Sequence, residues 1–435
     1  MKRFRFGAAA ALLAALIAAG SCSTNPVTGK SELVLMSEQE EIASGNQYYP
    51  MTTQLSEGET PHRSVQELVT RVGMKMARTS ERPNLPWQFN VVDSNEPNAY
   101  ALPGGKLSIT RGLISRMESE DQLASVLGHE IGHVTARHAV VSASRQQLLG
   151  AALGVGGAVL QTTGTPGAGA IQLAGQVGAT LLVQRYSRDE ERQADELGMK
   201  YMTAAGYNPR AFVETMRILQ AASKQEPSRF ESLFASHPVT SERIATAEQR
   251  LASGYTEAQT RSRDTTEFRR AVAPLRDEAP AFALADEAKE LAKNRRTRKA
   301  EERLARAASM VPGSPILHAL WGDTLYDLAD YRRADEVTDR ANSLNSRLYY
   351  GRVVNGAANW RLRDYRESIE QLRVAEQIVP DTLLVAYFLG RDLEDTGDRR
   401  AAADQYRKVA QNTQGEGEYG LYAVTRLREW GYLTQ

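Results

Sequence analysis

The chain has 435 residues, 42% hydrophobic and 24% charged, and its 53 basic and 53 acidic side chains balance to zero formal charge. That length suits two or three domains. The composition is that of a folded protein, and without a basic excess it argues against a nucleic-acid binder. A single cysteine, Cys22, excludes an intramolecular disulfide.

In chain order, Lys2, Arg3 and Arg5 precede an Ala/Leu run from Ala8 to Ala19. This is the layout of an export signal over residues 1–21, with a run too short for a comfortable membrane span. Ala19-Gly20-Ser21-Cys22 resembles a bacterial lipobox. That likeness implies lipidation of Cys22, a periplasmic protein anchored to the outer membrane, and membrane contact through the lipid alone. The alternative is a plain cleaved signal that carries a cysteine. Residues 22–36 are polar and turn-rich and are expected to be a tether.

Helices are expected near Ser37–Gly45 and over Val65–Arg78, where Val65, Leu68, Val69, Val72 and Met76 form one stripe. Phe89–Val92 and Lys106–Thr110 read as strands, with a Pro-Gly-Gly turn signal at 103–105 between them. Helices dominate from about Glu118 onward, so the first half is α+β with a small sheet. The Gly- and Ala-rich stretch Leu148–Val183 reads as two helices packed into the core, or as a flap or membrane-surface element beside a site. Neither half of it offers the roughly 20 apolar residues that a span requires.

The last third repeats. Gly322, Gly356 and Gly390 are 34 residues apart, with Ala288 in phase. Two more ladders run Ala300, Ala334, Ser368, Ala402 and Ala307, Ala341, Ala375, Val409. Small residues at this period, with Pro312 and Pro380 in phase, form the tetratricopeptide signature: they let paired helices cross closely and stack. Four repeats are expected over 281–414, then a capping helix near Tyr419–Trp430. The basic run Lys293–Lys299 reads as a solvated connection between repeat helices, or as a site for acidic partners.

His129-Glu130-Ile131-Gly132-His133 is an H-E-x-x-H motif. On a helix its histidines are four apart, so both imidazoles leave one face and can share a metal ion, with Glu130 placed to act as general base. The bland alternative is two buried helix histidines without a metal. His138 fails as third ligand because it is one residue out of the metzincin register. Ser187 and Glu190 form a capping box that should start a second helix, setting Glu191 and Asp195 four apart on one face. Glu191 can then complete the site, with Asp195 hydrogen-bonded behind it. Taken alone, that helix would read as an exposed acidic surface.

His129–His133, Ser187–Asp195, Asn98–Gly105 and Ser236-His237-Pro238 together resemble the gluzincin peptidases related to HtpX and the CAAX prenyl proteases. The likeness covers about 24–430. It implies an α+β, mainly helical zincin-type metallopeptidase domain with a small β-sheet at 37–265, then an all-α tetratricopeptide solenoid at 281–435. It also implies one Zn²⁺ per chain on His129, His133 and Glu191, Glu130 as base, and Asp195 as a catalytic proton donor. Gln193 departs from the family's frequent Glu at a place that is not a ligand.

His237 is expected either to stabilise the oxyanion, helped by Arg243, or to fill the metal's open position at rest. Otherwise it is a surface histidine before Pro. Lys106, Leu107, Ser108 and Ile109 are read as an edge strand to which an extended substrate adds, or as an ordinary sheet strand. The function expected is zinc-dependent endopeptidase action on polypeptides. The resemblance implies that the clients are misfolded or misassembled outer-membrane proteins, that the repeats engage these unfolded polypeptides or the β-barrel assembly machinery, and that assembly is aided as well as degradation. The rival reading is a repeat-based periplasmic chaperone or adaptor whose peptidase site is largely closed. An intramembrane prenyl-protein protease is disfavoured by the lack of spans.

Overall fold

A computed structural model describes residues 22–152, 185–263 and 265–433. The expected export signal, and residues 153–183 of the Gly/Ala-rich stretch, lie outside the described residues. None of the described helices is long and apolar enough to cross a membrane.

The expected tether is not a free linker. Strands β1 (Cys22–Thr24) and β2 (Ser31–Leu33) pair antiparallel. Asn25 closes the turn between them by accepting from the Val27 and Thr28 amides, while its Nδ2 donates to Ala136 O at 3.2 Å. Val34 packs with Val140 and Val141. Polar composition predicted a loose segment, but a few well-placed donors and one valine suffice to dock it.

Helices α1 (Glu38–Leu55) and α2 (Arg63–Ala77) follow, α1 opening on the Ser37/Glu40 capping box. The apolar stripe of α2 is fully buried against the sheet. That sheet contains β3 (Gln88–Val92), β4 (Ala99–Leu102) and β5 (Lys106–Thr110) in the order β3-β5-β4. β5 runs parallel to β3 and antiparallel to β4. Strand β4 was not expected from the sequence, where the only local structural signal between the two expected strands is the Pro-Gly-Gly turn at 103–105.

This order corrects the reading of Lys106, Leu107, Ser108 and Ile109 as an edge. β5 is the central strand, hydrogen-bonded on both sides and buried along its whole length. No substrate can pair with it. Even Lys106 is buried, its Nζ donating to Pro86 O at 2.8 Å.

After the single turn α3 (Arg111–Ile114) come α4 (Glu120–Thr135), α5 (His138–Ala152), α6 (Arg188–Ala204), α7 (Arg210–Gln225), α8 (Glu231–Ser236) and α9 (Ser241–Gly254). The gap expected between the two halves is filled by one helix, α10 (Thr266–Lys293). Its first half packs on α2 and buries Phe268, Val272 and Leu275 in the same core. Its second half buries Ala281, Phe282, Ala285 and Ala288 in the repeat core. The helix runs on through Pro274 and Pro280, neither of which can donate a backbone hydrogen bond, and joins the two halves directly.

The repeats pair α11 (Thr297–Met310) with the end of α10, α12 (Pro315–Asp327) with α13 (Tyr331–Leu344), α14 (Tyr349–Leu362) with α15 (Tyr365–Ile378), and α16 (Leu383–Asp395) with α17 (Arg399–Thr413). Helix α18 (Gly417–Glu429) caps the stack. The three ladders fall where each pair crosses. A Cβ on Gly322, Gly356 or Gly390 would lie 2.3–2.6 Å from Thr338, Leu372 or Tyr406 of the partner helix. All eight residues of the other two ladders are fully buried.

Candidate active site

Close backbone approach builds the site. Helices α4 and α6 cross where Gly128 and Gly132 of one meet Ala194 and Gly198 of the other. A Cβ on Gly198 would lie 2.9 Å from His129 N, so only glycine allows this spacing. The crossing brings Glu191 on the first turns of α6 under the imidazoles of His129 and His133. Ser187 caps α6 as expected, accepting from the Glu190 amide.

Four donor groups converge: His129, His133, Glu191 and His237 each offer one ligand atom, and these atoms lie within 4.8 Å of one another. His129 Nε2 is 3.1 Å from His133 Nε2 and 3.3 Å from His237 Nδ1. Glu191 Oε1 is 2.8 Å from His237 Nδ1 and 3.4 Å from His133 Nε2. All four residues are buried.

The surrounding hydrogen bonds decide which imidazole nitrogens are bare. His129 Nδ1 donates to Asp195 Oδ1 at 3.1 Å. Gln193 Oε1 accepts from His138 Nε2 at 2.9 Å, which leaves His138 Nδ1 to accept from His133 Nδ1 at 2.9 Å. Both motif histidines therefore present an unprotonated Nε2 to the centre, as metal ligation requires. His138 is not a ligand, as its register implied. Its tautomer-fixing contact carries no sequence signal, because it needs the left-handed turn at Arg137 (φ 61°) between α4 and α5.

Arg243 corrects an expectation. Its Nε and Nη2 donate to Asp195 at 2.8 and 2.6 Å, its Nη1 donates to Pro238 O at 2.7 Å, and Nη1 lies 2.5 Å from Glu191 Oε2. Four of its five N–H groups are taken in this way, so it positions two carboxylates and is not open to an oxyanion. At Asp195 burial opposes the charge, but the Arg243 hydrogen bonds and His129 outweigh that and hold its carboxyl below the usual range.

Burial also opposes ionisation of Glu191, and is overcome by His237, His129 and the His133 hydrogen bond, so it stays ionised far below the usual range. His133 is pushed down by burial, toward the neutral form a ligand needs. His237 is raised despite burial, because Glu130 and Glu191 face it.

The donor set fits a divalent cation. Glu130, Glu191 and Asp195 bring three buried carboxylates against the single guanidinium of Arg243. Glu130 Oε2 receives no hydrogen bond, and Glu191 Oε2 has only the Arg243 contact. Unbalanced buried charge is costly, and a 2+ ion among His and carboxylate donors removes the imbalance. Tyr186, which the sequence reading overlooked, stacks on His133 with ring centroids 3.9 Å apart and stands 5.4 Å from the His237 ring.

The cleft has two sides. Beside His129, Glu130 and His237 lies an apolar recess lined by Leu113, Val126, Phe212 and Met216, with Ala99 at its rim. By His133 and Tyr186 lies a second, smaller one lined by Ala101, Leu102 and Pro103. Strand β4, paired on one side only among the described strands, borders both.

An H-E-x-x-H helix completed by a glutamate from a second helix defines a zincin-type metallopeptidase site. Residues 63–251 match the family described as Peptidase family M48, and all four donor residues lie within that match. The chain is 28% identical over 235 residues to the "Beta-barrel assembly-enhancing protease" of Escherichia coli (strain K12), covering 53% of this chain and 48% of that one. It is 28% identical over 192 residues to the "Mitochondrial metalloendopeptidase OMA1" of Schizosaccharomyces pombe, covering 44% and 55%. To OMA1 of Arabidopsis thaliana it is 34% identical over 134 residues, covering 31% and 26%. The chain thus spans about half the length of the curated relatives it matches.

Proposed function

We propose that this chain is a zinc-dependent endopeptidase of the cell envelope. It hydrolyses exposed segments of unfolded or misassembled outer-membrane polypeptides from a lipid anchor on Cys22. The observation that carries the reading is Glu130, buried beside the four-donor cluster with Oε2 unpartnered. His129, His133 and Glu191 would hold the ion. When bound, Zn²⁺ supplies a Lewis acid that polarises a peptide carbonyl and acidifies water. Glu130 takes the proton of the attacking water and passes it to the leaving amine. Tyr186 and the apolar recess keep bulk water from these groups, and the recess receives an apolar substrate side chain. An extended substrate adds to the free edge of β4, in place of the β5 edge first expected.

His237 fills the fourth donor position at rest and faces the oxyanion once substrate displaces it. If His237→Ala left both zinc affinity and peptidase rate unchanged, that role would be lost. In this reading residues 37–265 act as the peptidase unit. The repeats at 281–435 recruit clients or the machinery that assembles them, and their closeness to the peptidase supports both degradation and assisted assembly.

The test is metal content of the purified chain, with casein hydrolysis measured for wild type and Glu130→Gln. One zinc in both, with hydrolysis only in wild type, is the expected result; absence of zinc from both would overturn it. A second reading, a repeat-based chaperone or adaptor with a closed site, draws support from His237 Nδ1 standing among the ligand atoms. In cells the adaptor would keep its activity in Glu130→Gln, and the peptidase would not.

A further inference from the structure

The repeat arm carries a cationic, aromatic patch that the peptidase chemistry does not use. Arg361 of α14 and Arg391 of α16 share one indole: each guanidinium carbon lies 4.6 Å from the Trp360 ring centroid. Arg391 also lies 4.5 Å from the Tyr422 ring of α18. Their hydrogen bonds go to phenols, Arg361 Nε to Tyr326 at 3.2 Å and Arg391 Nη1 to Tyr387 at 2.9 Å. Among the described residues no carboxylate pairs with either, and Arg391 Nε is buried without an acceptor.

The neighbouring acids are committed elsewhere. Glu394 accepts from Tyr406 and Tyr422 and pairs with Arg426, Asp395 accepts from Trp360 Nε1, and Asp392 accepts from Ser368. Two like charges on one ring in a partly desolvated place repel, and an anion would relieve them. The rings themselves are the apolar surface beside the charge: Trp360, Tyr387 and Tyr422 lie within 6 Å of Arg391.

We infer that this face binds the free C-terminal end of a polypeptide, its α-carboxylate on Arg391 and Arg361 and its last, apolar or aromatic side chain on the adjoining rings. A chain end presents carboxylate and side chain from one Cα, which matches guanidiniums set directly against aromatic rings. Guanidinium–carboxylate pairs are among the stronger charge-assisted contacts, and stacked rings add affinity for an aromatic residue. The inference rests on the reading that the chain acts on polypeptides, and it names the part of the client that the repeats hold.

The test is fluorescence anisotropy on the full chain carrying Glu130→Gln, which prevents cleavage. The probe is a labelled ten-residue peptide ending in Phe, offered as free acid, as C-terminal amide, and as an amide with an internal Asp. The expected result is binding of the free acid, weakened about tenfold or more by amidation. Arg391→Gln or Arg361→Gln should bring the acid down to the amide's affinity, with thermal melting and zinc content unchanged. In an otherwise wild-type chain, either substitution should spare casein hydrolysis. Equal binding of acid and amide, or undiminished binding by both arginine variants, would overturn the inference. Recovery of tight binding by the internal Asp would overturn the assignment to a chain end. Failure of the wild-type chain to cleave casein would remove the peptidase reading without touching this binding result.

Discussion

The two halves of this molecule bury different things. Around α4 and α6 the structure buries charge: three carboxylates, one guanidinium and a chain of imidazoles, each group used once and supported by a partner distant in sequence. Around α12 to α17 it buries small residues, the same kind at the same phase in each repeat. The first arrangement gains chemistry at a cost in folding energy, since paired buried ions seldom repay their desolvation. The second gains stability by stacking and leaves its chemistry to surface residues that differ between repeats.

The largest effect expected is at the charged centre. Glu130→Gln keeps the shape and removes the base, so hydrolysis should fall by about a thousandfold with zinc retained. If zinc were lost as well, the division between base and ligands drawn here would fail. Next is Arg243→Gln, which strips Asp195 and Glu191 of their shared counter-charge. A loss of about 3–5 kcal/mol in unfolding free energy is expected for the metal-free chain, reduced when zinc is added. Urea denaturation with and without metal measures both.

On the repeat side, Gly390→Ala sets a methyl 2.5 Å from the Tyr406 ring. A cost of about 1–3 kcal/mol is expected, with zinc content unaffected. An unchanged melting temperature would mean that the ladders do not mark the crossings.

The smallest prediction turns on sign. Asp392 is buried and pushed up to about 7 by burial, against a lowering hydrogen bond from Ser368. Its folded form holds a proton that the unfolded chain releases near pH 4. Stability therefore falls as pH rises from about 4 to about 7 and levels off above, the reverse of a paired carboxylate such as Asp195, whose contribution is lost as pH falls. Asp392→Asn should flatten that slope and add about 1 kcal/mol at pH 8. Chemical denaturation of both chains at pH 5 and pH 8 checks it.

Legibility follows the same division. The repeats were readable almost to the residue, because each ladder encodes one contact several times over; the expected cap at Tyr419–Trp430 lies within two residues of α18. In the site, His129, His133 and Glu191 were readable because helical spacing places them. The parts misread were those that depend on a meeting of segments. Arg243 looked free until Asp195 and Pro238 were seen to occupy it. Lys106–Ile109 looked like an edge because nothing local reveals which strand lies in the middle of a sheet. The tether at 22–36 looked loose because its anchors, Ala136, Ser144 and Arg137, are more than a hundred residues away.

By itself, then, the sequence determined the helical motif, the capped second helix and the repeat period, since each is a local pattern with a fixed rise and turn per residue. Tertiary structure alone decided which nitrogen each histidine leaves bare, which strand edge is free, and which arginines have a carboxylate partner. Those depend on hydrogen-bond partners from distant segments, and partner choice is settled only when the segments have packed and water has been excluded.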